Sequence, residues 1–193
     1  MENREYFEFE KIVKMSFSYL INKYLFICVE SSATYVRYER KDVFISIYHG
    51  RQSYEVGLQI GLTEEGKGHG YGIGSFIAVK EGGSNFRLPI ARTKEDLKIS
   101  IERLSTLLLK NASDVLRGDL RVFYGVKSHV EEYWDRIKVD KIRQDANDAF
   151  SKGDYFLAKS LYQSIFKFLL ISERKKLEIA EKRSGSSRTV DTD

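Results

Sequence analysis

Hydrophobic residues near the N-terminus recur at steps of three and four positions, with polar residues between them. The apolar positions are Phe9, Ile12, Val13, Phe17, Leu20 and Tyr24. This spacing places them on one face of a helix. We therefore predict a helix over residues 3–22 whose apolar face lies in the core.

The pattern then changes from helical to alternating. Residues 34–40, 43–48 and 53–60 each carry aliphatic or aromatic side chains at every second position, which is typical of half-buried strands. Because the polar links between these segments are short, neighbouring strands should be antiparallel. The sequence predicts a β-meander of three to five strands, with residues 24–30 as the candidate fourth.

Glycine then interrupts the alternation. It occupies every second position at Gly66, Gly68, Gly70, Gly72 and Gly74. Because glycine adopts many backbone conformations, we predict a mobile loop over residues 61–74. Residues 76–79 are a short apolar run, which the sequence leaves open as a strand or as one helical turn.

Helical spacing returns at Thr93 and continues almost to the C-terminus. Thr93 is the predicted N-cap of the first helix, because Asp96 follows three residues later, and Gly118 is its predicted end. The predicted helices cover residues 93–118, 119–138, 140–151, 154–170 and 172–183. Residues 184–193 have no packing side chains and are predicted to be disordered.

These elements predict an α+β fold with an N-terminal helix, an antiparallel meander and a helical C-terminal half. We expect a single domain over residues 1–183, with the sheet within 24–80 and the helices within 93–183. Of the 193 residues, 42% are hydrophobic and 31% are charged. A chain of this size and composition buries a core without disulfides or metal.

Charge and cysteine content indicate which partners and which cellular compartment to expect. The net charge of +4 comes from 32 basic and 28 acidic residues that are scattered along the chain, so nucleic acid is not an expected partner. Cys28, the only cysteine, lies in an apolar run and is predicted to be buried and inert. With no signal peptide and no run of roughly 18 apolar residues, we expect a cytoplasmic protein without a membrane partner.

No residue pattern indicates a catalytic or metal centre. His49, His69 and His129 are not at zinc-ligand spacing, and the first two fall at predicted loop positions, where we expect them to be solvated. The segment 72–76 lacks the closing glycine of the G-x-S-x-G nucleophile motif. We predict no cofactor, no metal and no catalytic residue.

The glycine-rich loop keeps a second function open. The backbone of such loops can cradle phosphates, and Lys67 and His69 are the candidate ligand-binding side chains. However, Gly68 stands where the P-loop motif requires Ser or Thr. A flexible protein-binding loop fits the same residues.

Aromatic residues on the predicted strands indicate a protein-binding surface. Tyr35, Phe44 and Tyr48 fall on the phase opposite to the aliphatic residues, so they face solvent or a partner if the aliphatic phase faces the core. Together with Arg51 they have the composition of a recognition surface. The alternative is that helices cover both faces of the sheet and bury these aromatics.

One segment resembles the turn and second helix of a tetratricopeptide repeat. It runs over residues 146–165, with the small or turn-forming residues Ala146, Ala149, Gly153 and Ala158 at the matching positions. It occurs once, whereas a solenoid needs about three repeats. The resemblance therefore implies an isolated helical hairpin, with a concave peptide-binding surface as the alternative.

The overall layout, with the segment 116–162, resembles small uncharacterised bacterial α+β proteins of the immunity-protein type. That resemblance implies binding and blocking of a toxin. Our first hypothesis is a non-enzymatic protein-binding module, of the immunity type, that binds another protein or a second copy of itself. The alternative is a nucleotide- or phosphate-binding protein that uses the loop 61–74.

Overall fold

The computed structural model describes residues 7–63, 70–83 and 85–186. Internal contacts divide the chain into two compact units, Met1–Val130 and Glu131–Asp193. An N-terminal helix, an antiparallel sheet and a helical C-terminal half follow one another along the chain. The predicted α+β class is confirmed.

Two short helices, α1 (Phe9–Ser16) and α2 (Ser18–Asn22), begin the first unit. Phe17 separates them with a non-helical φ of −108° and ψ of 15°. The helix predicted over 3–22 is therefore interrupted, and residues 3–6 lie outside the described ranges. Both helices still bury apolar residues in one core, namely Phe9, Ile12, Val13 and Leu20.

The sheet is an antiparallel meander in the order β1-β2-β3-β4-β5. Its strands are β1 (Ile27–Ser32), β2 (Tyr35–Arg40), β3 (Val43–His49), β4 (Val56–Leu62) and β5 (Gly70–Gly72). The predicted antiparallel meander is confirmed. The strand expected from residue 53 begins only at Val56, because Tyr54 holds a positive φ of 57° that breaks the extended conformation.

The loop predicted over residues 61–74 is wrong at both ends. Its first two residues continue β4, and its later glycines form β5, which pairs with β4. Helix α3 (Ile73–Glu81) follows at once, so residues 76–79 are helical. Packing stabilises this helix despite its flanking glycines, through the buried side chains of Ile73, Phe76 and Ile77. Residues 64–69 lie outside the described ranges.

Helix α4 (Lys94–Arg117) has the predicted boundaries. The Thr93 hydroxyl oxygen accepts a hydrogen bond from the Asp96 amide at 3.1 Å, which caps the first turn. Gly118 ends the helix with a φ of 95°, a conformation that suits glycine. Near its C-terminal end, Ala112 introduces a kink with a φ of −133°.

One face of the sheet shares a core with the helices of the first unit. The sheet contributes Val36, Tyr38, Ile45, Ile47, Leu58 and Ile60. The helices contribute, among others, Val13, Leu20, Phe76, Leu97, Ile101 and Leu104. The aliphatic phase of the strands therefore faces the core.

Helix α5 (Arg121–Ser151) is continuous. The two helices predicted over 119–138 and 140–151 are therefore one. At the expected break, Val139 and Asp140 provide no proline or glycine that would end a helix. The helix begins in the first unit and ends in the second.

The second unit adds α6 (Tyr155–Ser164), a 3₁₀ turn (Phe166–Phe168) and α7 (Ile171–Ser186). The helix predicted over 154–170 thus ends early. Disorder was expected from residue 184, but α7 continues to Ser186; residues 187–193 lie outside the described ranges. The small core of this unit contains Ala146, Ala149, Ala158, Tyr162, Leu177 and Ala180.

The single domain expected over residues 1–183 stays a prediction. A division by internal contacts does not decide whether the two units unfold together. Across the described ranges, every helix is too short or too polar to cross a bilayer.

Candidate functional site

The sheet face that points away from the core carries three of the predicted binding residues. Tyr35 and Tyr48 lie directly opposite each other on β2 and β3, so their side chains share this face. Phe44 lies on the same face, four residues before Tyr48. Both tyrosines are half-buried. We call this surface the open face.

Phe44 is not exposed, so its predicted role as an exposed anchor is wrong. Its side chain is 1% exposed, although it lies outside the core shared with the helices. The Arg37 guanidinium covers the ring, 3.7 Å from its centroid. Arg37 in turn donates to the Glu39 carboxylate at 2.6 Å. Neighbouring strands, not helices, therefore provide these contacts to Phe44.

Hydrogen bonds keep the Arg37 guanidinium, which covers Phe44, in its charged form. Burial lowers the pKa of Arg37, but hydrogen bonds to Glu39 and Tyr35 outweigh burial and raise that pKa above its usual value. Burial also raises the pKa of Tyr48, with a smaller contribution from Glu55. The open face thus presents a paired guanidinium and, at Tyr48, a phenol whose pKa is raised.

Two sets of predicted site residues remain, namely Arg51 and the side chains of the glycine-rich loop. Arg51 is exposed in the turn between β3 and β4. Lys67 and His69, the candidate ligands of the glycine-rich loop, lie outside the described residues. The phosphate-binding alternative therefore stays a prediction.

His49 is buried, so its predicted loop position is wrong. It ends β3 and is 2% exposed. Its Nε2 lies 2.9 Å from the Ala91 carbonyl oxygen, so this nitrogen donates the hydrogen bond. The rings of Phe7 and Phe9 lie 5.3 Å and 6.2 Å from the imidazole. The histidine acts here as a packed, hydrogen-bonded residue of the fold.

Within the described ranges, no group of three or more His, Cys, Asp or Glu side chains could hold a metal ion. Cys28 is half-buried, so its predicted burial is wrong. The thiol lies on β1, at one end of the strand order, where its Sγ is 3.6 Å from the Glu30 carbonyl oxygen.

Strand β1 is the most exposed element of the sheet. Among the described residues it pairs with β2 alone. Ile27 and Val29 are 69% and 51% exposed, and the pairing with β2 shifts between Cys28 and Glu30. The outer backbone groups of β1 therefore have no strand partner among the described residues, and they lie beside apolar side chains.

Further apolar side chains are exposed on neighbouring elements that contact β1 or directly precede it. They are Met15 on α1, Ile21 on α2 and Leu25. Leu25 is 73% exposed and holds a φ of 60°, a conformation that costs a side-chain-bearing residue roughly 1–2 kcal/mol. Together with Ile27 and Val29, these residues form a surface that we call the β1 edge.

A groove lies against part of this surface. Its volume is about 880 Å³, and Met15, Lys11, Lys14 and Ala33 are among its lining residues. Lys14 is paired with Glu10 at 2.5 Å. The groove thus combines an apolar residue with charges that are already paired.

Sequence reasoning missed the β1 edge. The run Phe26–Val29 has the composition of a buried strand, yet of its four residues only Phe26 belongs to the core. One signal was available: the first strand of a meander has a hairpin neighbour on one side only, which predicts an outer strand.

The hairpin of the second unit packs as its small residues predict. Ala149, Ala158 and Tyr162 lie in one core. The Tyr162 hydroxyl donates to Asn147 Oδ1 at 3.0 Å. The likeness to a tetratricopeptide repeat itself stays a prediction.

No protein-family model, curated protein or solved structure matches the chain. Its function must therefore be argued from these surfaces.

Proposed function

We propose that this chain is a non-enzymatic protein-binding module whose β1 edge receives an extended segment of a partner protein. One observation carries the proposal. The outer strand of the sheet is exposed along its length and bears Ile27 and Val29 on its surface.

Strand addition fits the chemistry of this edge. A partner strand would pair with the free backbone groups of β1, and alternate side chains would contact the exposed apolar residues. Glu30 and the bulge beside it are devices that proteins use to discourage uncontrolled pairing. They would make binding selective for a matching segment.

The open face would extend the binding surface. Tyr35 lies on β2, next to β1, and Tyr48 and Arg51 remain candidate anchors beyond it. Phe44 would support Arg37 from beneath instead of touching the partner. An immunity-type inhibitor that blocks a toxin in the cytoplasm is one form of this proposal, with neither membrane nor nucleic acid as the partner.

The test compares three baits in one cell extract: the full chain, an Ile27→Lys/Val29→Lys variant and an Ile90→Lys/Ile99→Lys control. The control adds the same two charges at residues that are also exposed. We expect proteins captured by the full chain and by the control to be lost from the β1 variant. Circular dichroism should show the same fold for all three baits.

The captured protein is then purified and added back for amide hydrogen exchange. The proposal expects slower exchange in residues 27–32. Equal capture by all three baits, or unchanged exchange in β1, would contradict it.

A further inference from the structure

The second unit exposes an acidic, aromatic stretch of α5. Every residue from Glu131 to Lys138 is exposed. Glu131, Glu132 and Asp135 supply three negative charges, and Arg136 and Lys138 supply two positive ones, so the stretch has a net charge of −1. Tyr133 and Trp134 supply exposed rings whose centroids lie 5.6 Å apart. We call this segment the acidic stretch.

The same unit exposes a second apolar surface of opposite charge. Phe166, Phe168, Leu170 and Ile171 lie between α6 and the first turn of α7, and Ile171 is 80% exposed. Lys167, Arg174 and Lys175 are exposed within the same ten residues. Its one acidic residue, Glu173, is buried. We call residues 166–175 the basic tip.

A groove joins these two surfaces. It has a volume of about 500 Å³, and its lining includes Glu132 and Asp135 from the acidic stretch and Phe168 from the basic tip. Arg143, which also lines it, donates to the Phe168 carbonyl oxygen at 2.8 Å and lies 2.9 Å from the Glu173 carboxylate. The tip is therefore fixed to α5 by a partly buried ion pair.

The charges of these surfaces are available for a partner. Asp135 has one weak pairing, with Lys138 at 3.5 Å, and both side chains are 72% exposed. Exposed pairs of this kind contribute little and exchange partners easily. Arg174 lies over the Phe166 ring, 5.6 Å from its centroid.

We propose that a second copy of this chain docks across the groove. A two-fold axis there would bring the acidic stretch of each copy against the basic tip of the other. Such an interface is self-complementary, because one contact is made twice. Opposite charge determines the choice of partner, because a second copy supplies both an acidic and a basic surface.

Both surfaces are short, so the dimer should depend on protein concentration. Stable interfaces cover about 800 Å² on each partner. We expect sedimentation velocity of the full chain to show a reversible monomer–dimer equilibrium that weakens as salt increases.

Charge reversal tests the arrangement directly. The first variant is Glu131→Lys/Glu132→Lys, and the second is Lys167→Glu/Lys175→Glu. Each alone should associate at least tenfold more weakly, because like charges then meet at both contacts. An equimolar mixture should restore the dimer, because every contact in the mixed pair again joins opposite charges.

A Glu95→Lys/Glu102→Lys variant is the control for the first variant, since it makes the same change in net charge at exposed positions of the first unit. It should dimerise like the unmodified chain. A chain that stays monomeric at every concentration, or a mixture that fails to restore association, overturns the inference. Dimerisation lost only in the Ile27→Lys/Val29→Lys variant would also overturn it, and would assign self-association to the β1 edge.

Discussion

At the scale of single residues, aromatic rings on the open face lie against glycines. A Cβ atom on Gly57 would stand 2.1 Å from Cζ of Tyr48, and one on Gly70 would stand 3.1 Å from Cζ of Phe44. The rings therefore occupy space that a side chain on β4 or β5 would fill. Phe44 is therefore buried, although its position in the alternation of the strand predicts that it is exposed.

Tyr38 lies on the core face of the sheet. Its side chain is fully buried, and its hydroxyl has no hydrogen-bond partner among the described residues. An unpaired buried hydroxyl is destabilising. We expect Tyr38→Phe to raise the free energy of unfolding by about 1 kcal/mol, measured by urea denaturation at pH 7.

The advantage of Tyr38→Phe should grow in alkali. Burial raises the pKa of Tyr38, so the folded state keeps this phenol neutral where an unfolded tyrosine, with a pKa of about 10, ionises. The stabilising contribution of the neutral phenol is complete below about pH 10 and decreases as pH rises further. Tyr38→Phe has no phenol at this position, so its stability does not show this decrease.

Tyr19 provides the control. Burial raises its pKa to about 12, but its hydroxyl donates to the Ser105 carbonyl oxygen at 3.2 Å. Tyr19→Phe should therefore lower the free energy of unfolding by about 1 kcal/mol at pH 7. If Tyr38→Phe is destabilised to the same extent, the hydroxyl of Tyr38 is hydrogen-bonded in solution.

At the scale of elements, side-chain periodicity decided what the sequence could predict. Strands β2 and β3 alternate clearly and were predicted to within one residue. Strand β5 has three residues, two of them glycine, so it shows no alternation. Helix α5 was divided wrongly between residues 138 and 140, where Val139 and Asp140 include no proline or glycine that would end a helix.

The binding surfaces depend on contacts that no local pattern contains. Tyr35 and Tyr48 were found because strand phase identifies the face on which they lie. The exposure of Ile27 depends on the place of β1 at the edge, and the burial of His49 depends on Ala91, 42 residues away. The acidic stretch and the basic tip meet only through the packing of α5 with the turn before α7.

The Glu173 carboxylate of α7 contacts both α5 and the residue that precedes α7. It accepts a hydrogen bond from the Leu170 amide at 2.8 Å and lies 2.9 Å from Arg143 Nε. Removing one member of a buried ion pair leaves the other unpaired. We expect Glu173→Ala to destabilise the second unit by about 3–5 kcal/mol, measured by guanidinium denaturation.

Two further variants separate charge from hydrogen bonding. Glu173→Gln keeps an acceptor for the Leu170 amide and should therefore lower stability less than Glu173→Ala does. Glu178→Ala, at an exposed position of the same helix, should change stability by less than about 0.5 kcal/mol. Equal effects of the Ala substitutions at 173 and 178 would show that the ion pair contributes nothing.

At the scale of the whole molecule, the described residues form two hydrophobic cores that share no residue. The first contains residues of the sheet and α1 to α4, together with the start of α5; the second contains residues of α5 to α7. The proposed functions divide in the same way, with partner binding in the first unit and self-association in the second. Each surface can therefore be altered by substitutions that leave the other core unchanged.

Separate cores predict separate unfolding transitions. Leu104 is fully buried in the first core and Ala158 in the second. We expect Leu104→Ala to lower the stability of the first unit alone, by about 2–5 kcal/mol, through the cavity it leaves. Ala158→Leu should lower that of the second unit alone, by about 1–3 kcal/mol, through overpacking. Peptide-resolved hydrogen exchange at rising guanidinium concentration measures both. If both substitutions instead shift one common transition, the two cores unfold together and residues 1–183 form the single domain that the sequence predicts.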